Sequence, residues 1–147
     1  MKKWLFVHVV VLAICSYLLT ACSGGGEEVA NESGVVRSGV PADYAGKKNS
    51  KTGNAKAIKQ GNEIFNVNCA SCHGEGGKGD GPAAAALDPK PQNLSASVGS
   101  LGDDYLFWRI SEGGLMEPFR SAMPSLKTIL NEDQIWSVIA YLRTLAK

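Results

Sequence analysis

Two cysteines and a histidine within five residues are the part of the sequence best suited to chemistry. Cys69, Cys72 and His73 form the segment Cys-Ala-Ser-Cys-His, in which the histidine directly follows the second cysteine. On a helical turn, side chains three and four residues apart share one face, so both thiols and the imidazole can face one bound group. Three chemistries use such a set of side chains: a redox-active dithiol, a zinc site and covalent haem attachment.

A dithiol and a zinc site fit the sequence less well than haem attachment. A thioredoxin-like dithiol lies at a helix N-terminus after a strand, whereas hydrophobic periodicity places this motif at the end of a helix. A structural zinc site takes four ligands, and residues 55–147 contain no cysteine or histidine besides these three. A disulfide across so short a loop would be strained. The C-x-x-C-H spacing is typical of c-type haem, with thioethers at Cys69 and Cys72 and His73 on the iron.

A methionine is the predicted second axial ligand, because His/Met pairing is common for haem iron. Met123 precedes Pro124, which stiffens the loop and favours an extended backbone at the methionine. Met116 instead follows the flexible pair Gly113 and Gly114. We therefore predict Met123 as the ligand, with Met116 and an open or water-bound position as the alternatives.

Three helices are predicted to position these residues. The first carries the motif and ends at Gly74, the second spans residues 103–111, and the third follows the cap Asn131 with Gln134 in capping-box position. The loops between them are rich in glycine and proline, and no strand pattern appears. The domain is predicted to span residues 55–147. A core of that size with long loops is marginal, so a bulky cofactor is expected inside it.

Residues 55–147 resemble the class I, single-haem cytochromes c. The motif lies near the start of the domain, a Met-Pro pair lies about fifty residues later, and the chain closes with a helix. In this family the first and last helices cross. Gly61 and Phe65, at steps of four before the first haem cysteine, match the family pattern, as do Val138 and Tyr141 near the end. The resemblance implies a close helix contact at Gly61 and packing of Phe65 against Tyr141.

The resemblance also implies the fold and the haem surroundings. The fold would be all-α, the cytochrome c fold, with three to four helices and long loops around one covalently bound haem c. The carbonyl of Pro82, which follows Gly81, would accept a hydrogen bond from His73. Trp108 and Arg109 are candidates to bind the haem propionates, the alternatives being a core tryptophan and a solvated arginine.

An iron with two protein ligands has no open position for a substrate, so the implied function is one-electron transfer rather than catalysis. The expected partners are a redox protein donor and acceptor that dock transiently, with no small-molecule substrate. The chain has 15 Lys plus Arg and 14 Asp plus Glu, and this balance argues against nucleic-acid binding. The alternatives are a haem-bearing subunit of a respiratory oxidoreductase complex and a sensor of small gases.

The N-terminal segment predicts export and a membrane anchor. Lys2 and Lys3 precede the apolar stretch 4–19, a pattern typical of signal peptides. The following Leu-Thr-Ala-Cys resembles the lipobox of bacterial lipoproteins, which implies a signal peptide at 1–21 and lipidation of Cys22. The alternative is an uncleaved N-terminal membrane helix. The predicted location faces the periplasm or the cell exterior, and Ser23 favours the outer membrane if the cell has one.

Residues 22–54 are predicted to form a flexible tether between the lipid and the domain. They are rich in glycine, serine, lysine, glutamate and asparagine and show no sustained apolar period. Val35, Val36 and Tyr44 leave open that part of the segment packs on the domain.

Overall fold

The described part of the chain is helical. A computed structural model describes residues 39–147, which contain five α-helices and no strand. The helices are α1 (Ala55–Asn68), α2 (Ala70–His73), α3 (Leu94–Ser97), α4 (Asp103–Glu112) and α5 (Glu132–Leu145), with 3-10 turns at Ala84–Ala86 and Val98–Ser100. The predicted all-α fold with three main helices is confirmed, and the two additional helices are each a single turn.

Helices α1 and α5 cross in close contact. A Cβ atom placed on Gly61 would lie 2.0 Å from the carbonyl oxygen of Ser137 and 2.9 Å from Cβ of Tyr141. Even an alanine would therefore overlap the backbone of α5, so the crossing requires glycine. One turn further along α1, the Phe65 ring packs against Tyr141 with their centroids 5.3 Å apart. The structure confirms the contacts predicted for this crossing.

The hydrophobic core lies where α1, α4 and α5 meet. Burial of a large apolar side chain contributes about 1.5–3 kcal/mol, so this cluster holds the three main helices together. Phe107 of α4 also packs on the half-buried Trp136 of α5, with ring centroids 4.3 Å apart. The buried members of the cluster are Phe65, Val98, Leu106, Phe107, Ile110, Leu126, Leu130, Ile135, Val138, Ile139 and Leu142.

Polar contacts fix the ends of α4 and α5. The predicted capping box of α5 is present, since the Asn131 side chain accepts from the amide of Gln134 and the Gln134 side chain accepts from that of Asn131. At the start of α4, Asp103 pairs with Arg143 of α5. Burial alone would raise the pKa of Asp103, but the hydrogen bonds from Arg143 and from the Asn49 amide lower it overall.

The segment before α1 differs from the prediction. The tether was predicted to run to residue 54, but residues 41–53, here called the clasp, form turns that contact α4 and α5. Asn49 is 8% exposed and donates from its side chain to the Trp136 carbonyl at 2.9 Å. Tyr44 packs on Phe107, with ring centroids 6.1 Å apart. Order therefore begins before Ala55, because these side chains find partners far away in the sequence.

The predicted signal peptide, lipidated Cys22 and the first part of the tether lie outside the described residues. Among residues 39–147, no helix is long and apolar enough to cross a membrane.

Candidate haem site

The Cys-x-x-Cys-His motif forms one helical turn directly after α1. The amide of Cys69 donates to the carbonyl of Phe65 at 2.8 Å, which continues the hydrogen-bond pattern of α1. The carbonyl of Cys69 in turn accepts from the amides of Cys72 and His73 at 3.1 and 2.9 Å. This turn brings the two cysteines and His73 together, and both cysteines are free and partly buried.

The imidazole of His73 is fixed by a backbone carbonyl. Its Nδ1 atom lies 3.1 Å from the carbonyl oxygen of Gln92. A carbonyl can only accept, so Nδ1 carries the proton and Nε2 is left with a free lone pair. Burial lowers the pKa of His73, although the bond to Gln92 opposes this shift. The ring is therefore neutral at physiological pH, as a metal ligand must be.

Gln92 takes the place predicted for Pro82. Pro82 is exposed, and the hydrogen bond from His73 goes to the segment that follows Pro91. Gly79 has φ +78, and a Cβ atom there would lie 2.4 Å from the carbonyl oxygen of Pro91. This contact and the 2.6 Å hydrogen bond from the Leu94 amide to the Gly77 carbonyl place the segment around residue 92 beside His73. The prediction for Pro82 is wrong because the loop returns to the histidine ten residues later.

The two competing chemistries are disfavoured by the surroundings of the thiols. Burial, assisted by the neighbouring Cys72, raises the pKa of Cys69 to about 12. A thiol that stays protonated at neutral pH is poorly suited to the thiolate chemistry of a redox dithiol. Within residues 39–147, no three His, Cys, Asp or Glu side chains are arranged to hold a metal ion. The donor set fits covalent haem attachment.

Met123 lies in the loop between α4 and α5 and packs, partly buried, against the core cluster that Cys69 also contacts. Its carbonyl accepts from the amide of Gly114 at 2.9 Å. Gly113 has φ +76, and a Cβ atom there would lie 2.5 Å from the Met123 oxygen and 2.5 Å from the carbonyl carbon of Pro124. The sequence marks Gly113 only as one of a flexible pair, because its contact with the later loop leaves no local signal.

Trp108 and Arg109 belong to one cluster beside this loop. Trp108 is 6% exposed, and its ring meets Phe119 edge-on at 5.6 Å. The Arg109 guanidinium lies 3.5 Å from the Phe119 ring centroid, and its Nη1 donates to the Gly113 carbonyl at 2.6 Å and contacts Met116 Sδ at 3.6 Å. Burial lowers the pKa of Arg109. A half-buried guanidinium next to aromatic rings can bind an anionic group. The contact of Trp108 and Arg109 with the haem propionates stays a prediction.

A helical fold in which one turn carries two free thiols and a neutral, oriented imidazole defines a c-type haem protein. A family model described as Cytochrome c matches residues 58–146, which is more than half of the chain. The chain belongs to the cytochrome c family, and the family implies covalently bound haem c, electron transfer and redox protein partners.

Two curated relatives carry the same family name. Cytochrome c6 of Leptolyngbya boryana is 34% identical over 82 residues, which cover 56% of this chain and 85% of that protein. Cytochrome c550 of Pseudomonas aeruginosa is 26% identical over 88 residues, which cover 60% of this chain and 55% of that protein. The chain thus spans most of the first relative and little more than half of the second.

Two solved structures share the fold. Cytochrome CL of Methylophaga aminisulfidivorans aligns with a TM-score of 0.53 and 25% identity, over 67% of this chain and 59% of that one. A chain of the reducing HAO-like protein complex of Kuenenia stuttgartiensis aligns with a TM-score of 0.52 and 24% identity, over 63% of this chain and 45% of that one. The second likeness concerns the fold alone.

Proposed function

We propose that this chain is an exported, lipid-anchored one-electron carrier in which His73 and Met123 are the axial ligands of the haem iron. The observation that carries the proposal is the orientation of His73. Because Nδ1 donates to Gln92, Nε2 is the free ligand atom on the turn that also bears both thiols. Cys69 and Cys72 would form the thioethers. When bound, haem supplies an iron ion that gains and loses one electron.

The loop around Met123 supports its role as the second ligand. On one side the Met123 carbonyl accepts from Gly114, and on the other Ser125 Oγ donates to the Ser111 carbonyl at 2.7 Å. These two bonds fix the backbone on both sides of Met123, so little backbone freedom is lost when its side chain binds a metal. A thioether ligand also stabilises ferrous iron and raises the potential. Two protein ligands leave no position for a substrate, which supports a carrier rather than an enzyme.

The proposed location and partners follow from the sequence. The pattern at residues 1–22 is that of an exported bacterial lipoprotein, with Cys22 as the lipidated residue and Ser23 favouring an outer membrane. A donor and an acceptor protein would dock transiently over a small interface at the haem edge. Copurification of the membrane-extracted protein with stoichiometric partners would instead assign it to a respiratory complex.

Absorption spectroscopy of the oxidised holoprotein tests the ligand pair. We expect the weak far-red band that marks methionine–iron coordination in this family, and we expect Met123→Ala to abolish it. Met116→Leu is the matched control, because it removes the other methionine of the domain and should keep the band. A band that survives Met123→Ala, or ready binding of carbon monoxide by the reduced wild-type protein, would contradict the proposal.

A further inference from the structure

One carboxylate joins the clasp to the loop that carries Met123. Glu112 is the last residue of α4. The Tyr44 hydroxyl of the clasp donates to its Oε1 atom, and Lys127 Nζ donates to both of its oxygens at 2.9 and 2.8 Å. Lys127 lies four residues after Met123, at the far side of the same loop. Glu112 therefore connects three parts of the chain.

The charges in this group favour all three contacts at neutral pH. The hydrogen bonds from Lys127 and then from Tyr44 lower the pKa of Glu112, so it is an acceptor-only carboxylate. The bond to Glu112 raises the pKa of Tyr44 to about 12, which keeps the phenol protonated as a donor.

Backbone hydrogen bonds also join the Met123 loop to the end of α4, next to Glu112. The amides of Leu126 and Lys127 both donate to the Ser111 carbonyl at 3.2 Å, and the Gly114 amide donates to the Met123 carbonyl. Met123 thus lies between two backbone attachments to the end of α4. The side chain of Glu112 reinforces the attachment on the C-terminal side of the methionine.

The clasp has its own contacts with α4, so it presents Tyr44 from a fixed position. The Gly46 amide donates to Asp104 Oδ2 at 3.0 Å, and the Asn49 amide donates to Asp103 Oδ2 at 3.0 Å. The clasp also lies before the part of the chain that matches the family model, which begins at residue 58. The contact from Tyr44 is therefore a feature of this chain outside the matched domain.

We infer that Tyr44 is a positioning residue for Met123, acting through Glu112 and Lys127 to hold the methionine loop against α4. The inference rests on the proposed His73/Met123 ligation. Without the Tyr44 hydroxyl, the loop keeps the Lys127–Glu112 pair, whose side chains are 54% and 25% exposed. On its own such a pair holds the Glu112 carboxylate loosely, and a second donor such as Tyr44 is needed to fix it. The loop then opens more often, and an external ligand reaches the iron more easily.

The test is a titration of the oxidised holoprotein with imidazole, in which binding is measured as the loss of the methionine–iron band. Tyr44→Phe keeps the ring on Phe107 and removes only the hydroxyl. We expect it to strengthen imidazole binding about tenfold, as for loss of a hydrogen bond to a charged group. Lys127→Gln should act in the same direction. The double variant should fall short of the product of the two effects, since both act through Glu112.

Lys51→Gln is the matched control. Lys51 belongs to the same clasp but pairs with Asp133 of α5 at 2.5 Å and not with Glu112. The affinity of the Lys51→Gln variant for imidazole should therefore stay within about twofold of wild type. An equal shift in Lys51→Gln and Tyr44→Phe would indicate general loosening of the clasp and overturn the inference. A normal band with unchanged affinity in Tyr44→Phe and Lys127→Gln would overturn the inference alone. Absence of the band from wild type would overturn the ligation and the inference together.

Discussion

Backbone groups, more than side chains, position the two proposed ligand residues, His73 and Met123. His73 is oriented by the carbonyl of Gln92, a group that every residue type at position 92 would supply. Met123 is held through its own carbonyl by the amide of Gly114. The important nearby positions are therefore Gly79 and Gly113, where the lack of a side chain lets two chain segments come into contact.

Gly113→Ala is expected to displace Met123. The methyl group would lie 2.5 Å from the Met123 oxygen, and the residue would have to keep φ +76. We expect the helices to be retained by circular dichroism, while the methionine–iron band of the oxidised protein weakens or disappears.

Gly53→Ala is the control for backbone strain. Gly53 has φ +80, but no atom lies within 4 Å of its added Cβ, so this variant carries the left-handed strain of about 1–2 kcal/mol without the collision. Its band should be unchanged. A normal band in Gly113→Ala would mean that the contact at Gly113 does not position the ligand.

The grouping of the candidate site residues could be predicted from the sequence wherever their spacing is local. Cys69, Cys72 and His73 were identifiable because one helical turn brings them together whatever the rest of the chain does. The partner of His73 was not, because it depends on the path by which the loop through Gly79 returns. The role of Gly113 depends in the same way on a segment ten residues later.

At the scale of elements, the crossing of α1 and α5 supports the haem motif. The motif follows α1 without a break, so any shift of α1 against α5 also moves Cys69 and His73. The closest contact of this crossing is at Gly61, where α1 meets the backbone of Ser137.

Gly61→Ala is therefore expected to destabilise the fold by about 3 kcal/mol or more, at the upper end of overpacking effects. The measurement is urea unfolding of the holoprotein followed by circular dichroism. Gly99→Ala is the control, because its methyl group would meet Cβ of Ala146 at an ordinary 3.6 Å. It should change the free energy of unfolding by less than about 1 kcal/mol. Equal stability of the two variants would contradict the close crossing.

The Asp103–Arg143 pair predicts a pH-dependent contribution to stability. The pKa of Asp103 is lower in the folded protein than in the unfolded chain, so its contribution is present above the unfolded pKa. It is lost as the pH falls through the folded pKa. We expect Asp103→Asn to lower the free energy of unfolding by about 1–2 kcal/mol at pH 7, with the difference shrinking towards pH 3. A difference that stays constant over this range would exclude the linkage.

The helices could be predicted from their hydrophobic period, but the clasp could not. The apolar residues of α1 and α5 repeat at helical spacing, and both helices have N-cap residues. These helices can therefore be predicted without knowledge of tertiary contacts. The clasp is held by single polar groups, such as Asn49 to Trp136 and Tyr44 to Glu112. Such pairs join residues far apart in sequence and leave no periodic signal.

At the scale of the whole molecule, the cytochrome c domain is one part of a longer chain. The family match begins at residue 58 and the described structure at residue 39. The part before it carries the proposed export signal and anchor.

Cys22→Ser is expected to release the protein from the membrane or to leave its signal peptide uncleaved. The measurement is fractionation of cells that express the variant, with mass spectrometry of the mature N-terminus and of the haem-bearing peptide. Lys51→Gln, which lies outside the lipobox, should fractionate as wild type does. Wild-type protein with an unmodified Cys22 would contradict the lipid anchor, whereas the haem mass on Cys69 and Cys72 would test the attachment separately.

With the proposed lipid anchor at Cys22, the clasp would limit how far the haem domain can move from the membrane to meet redox partners. A flexible linker from Cys22 to residue 38 would have a root-mean-square span of about 23 Å, against about 32 Å for one that continued to residue 54. The volume swept by the domain would shrink roughly threefold. A donor or acceptor embedded in the same membrane would then meet the carrier at an effective concentration roughly threefold higher.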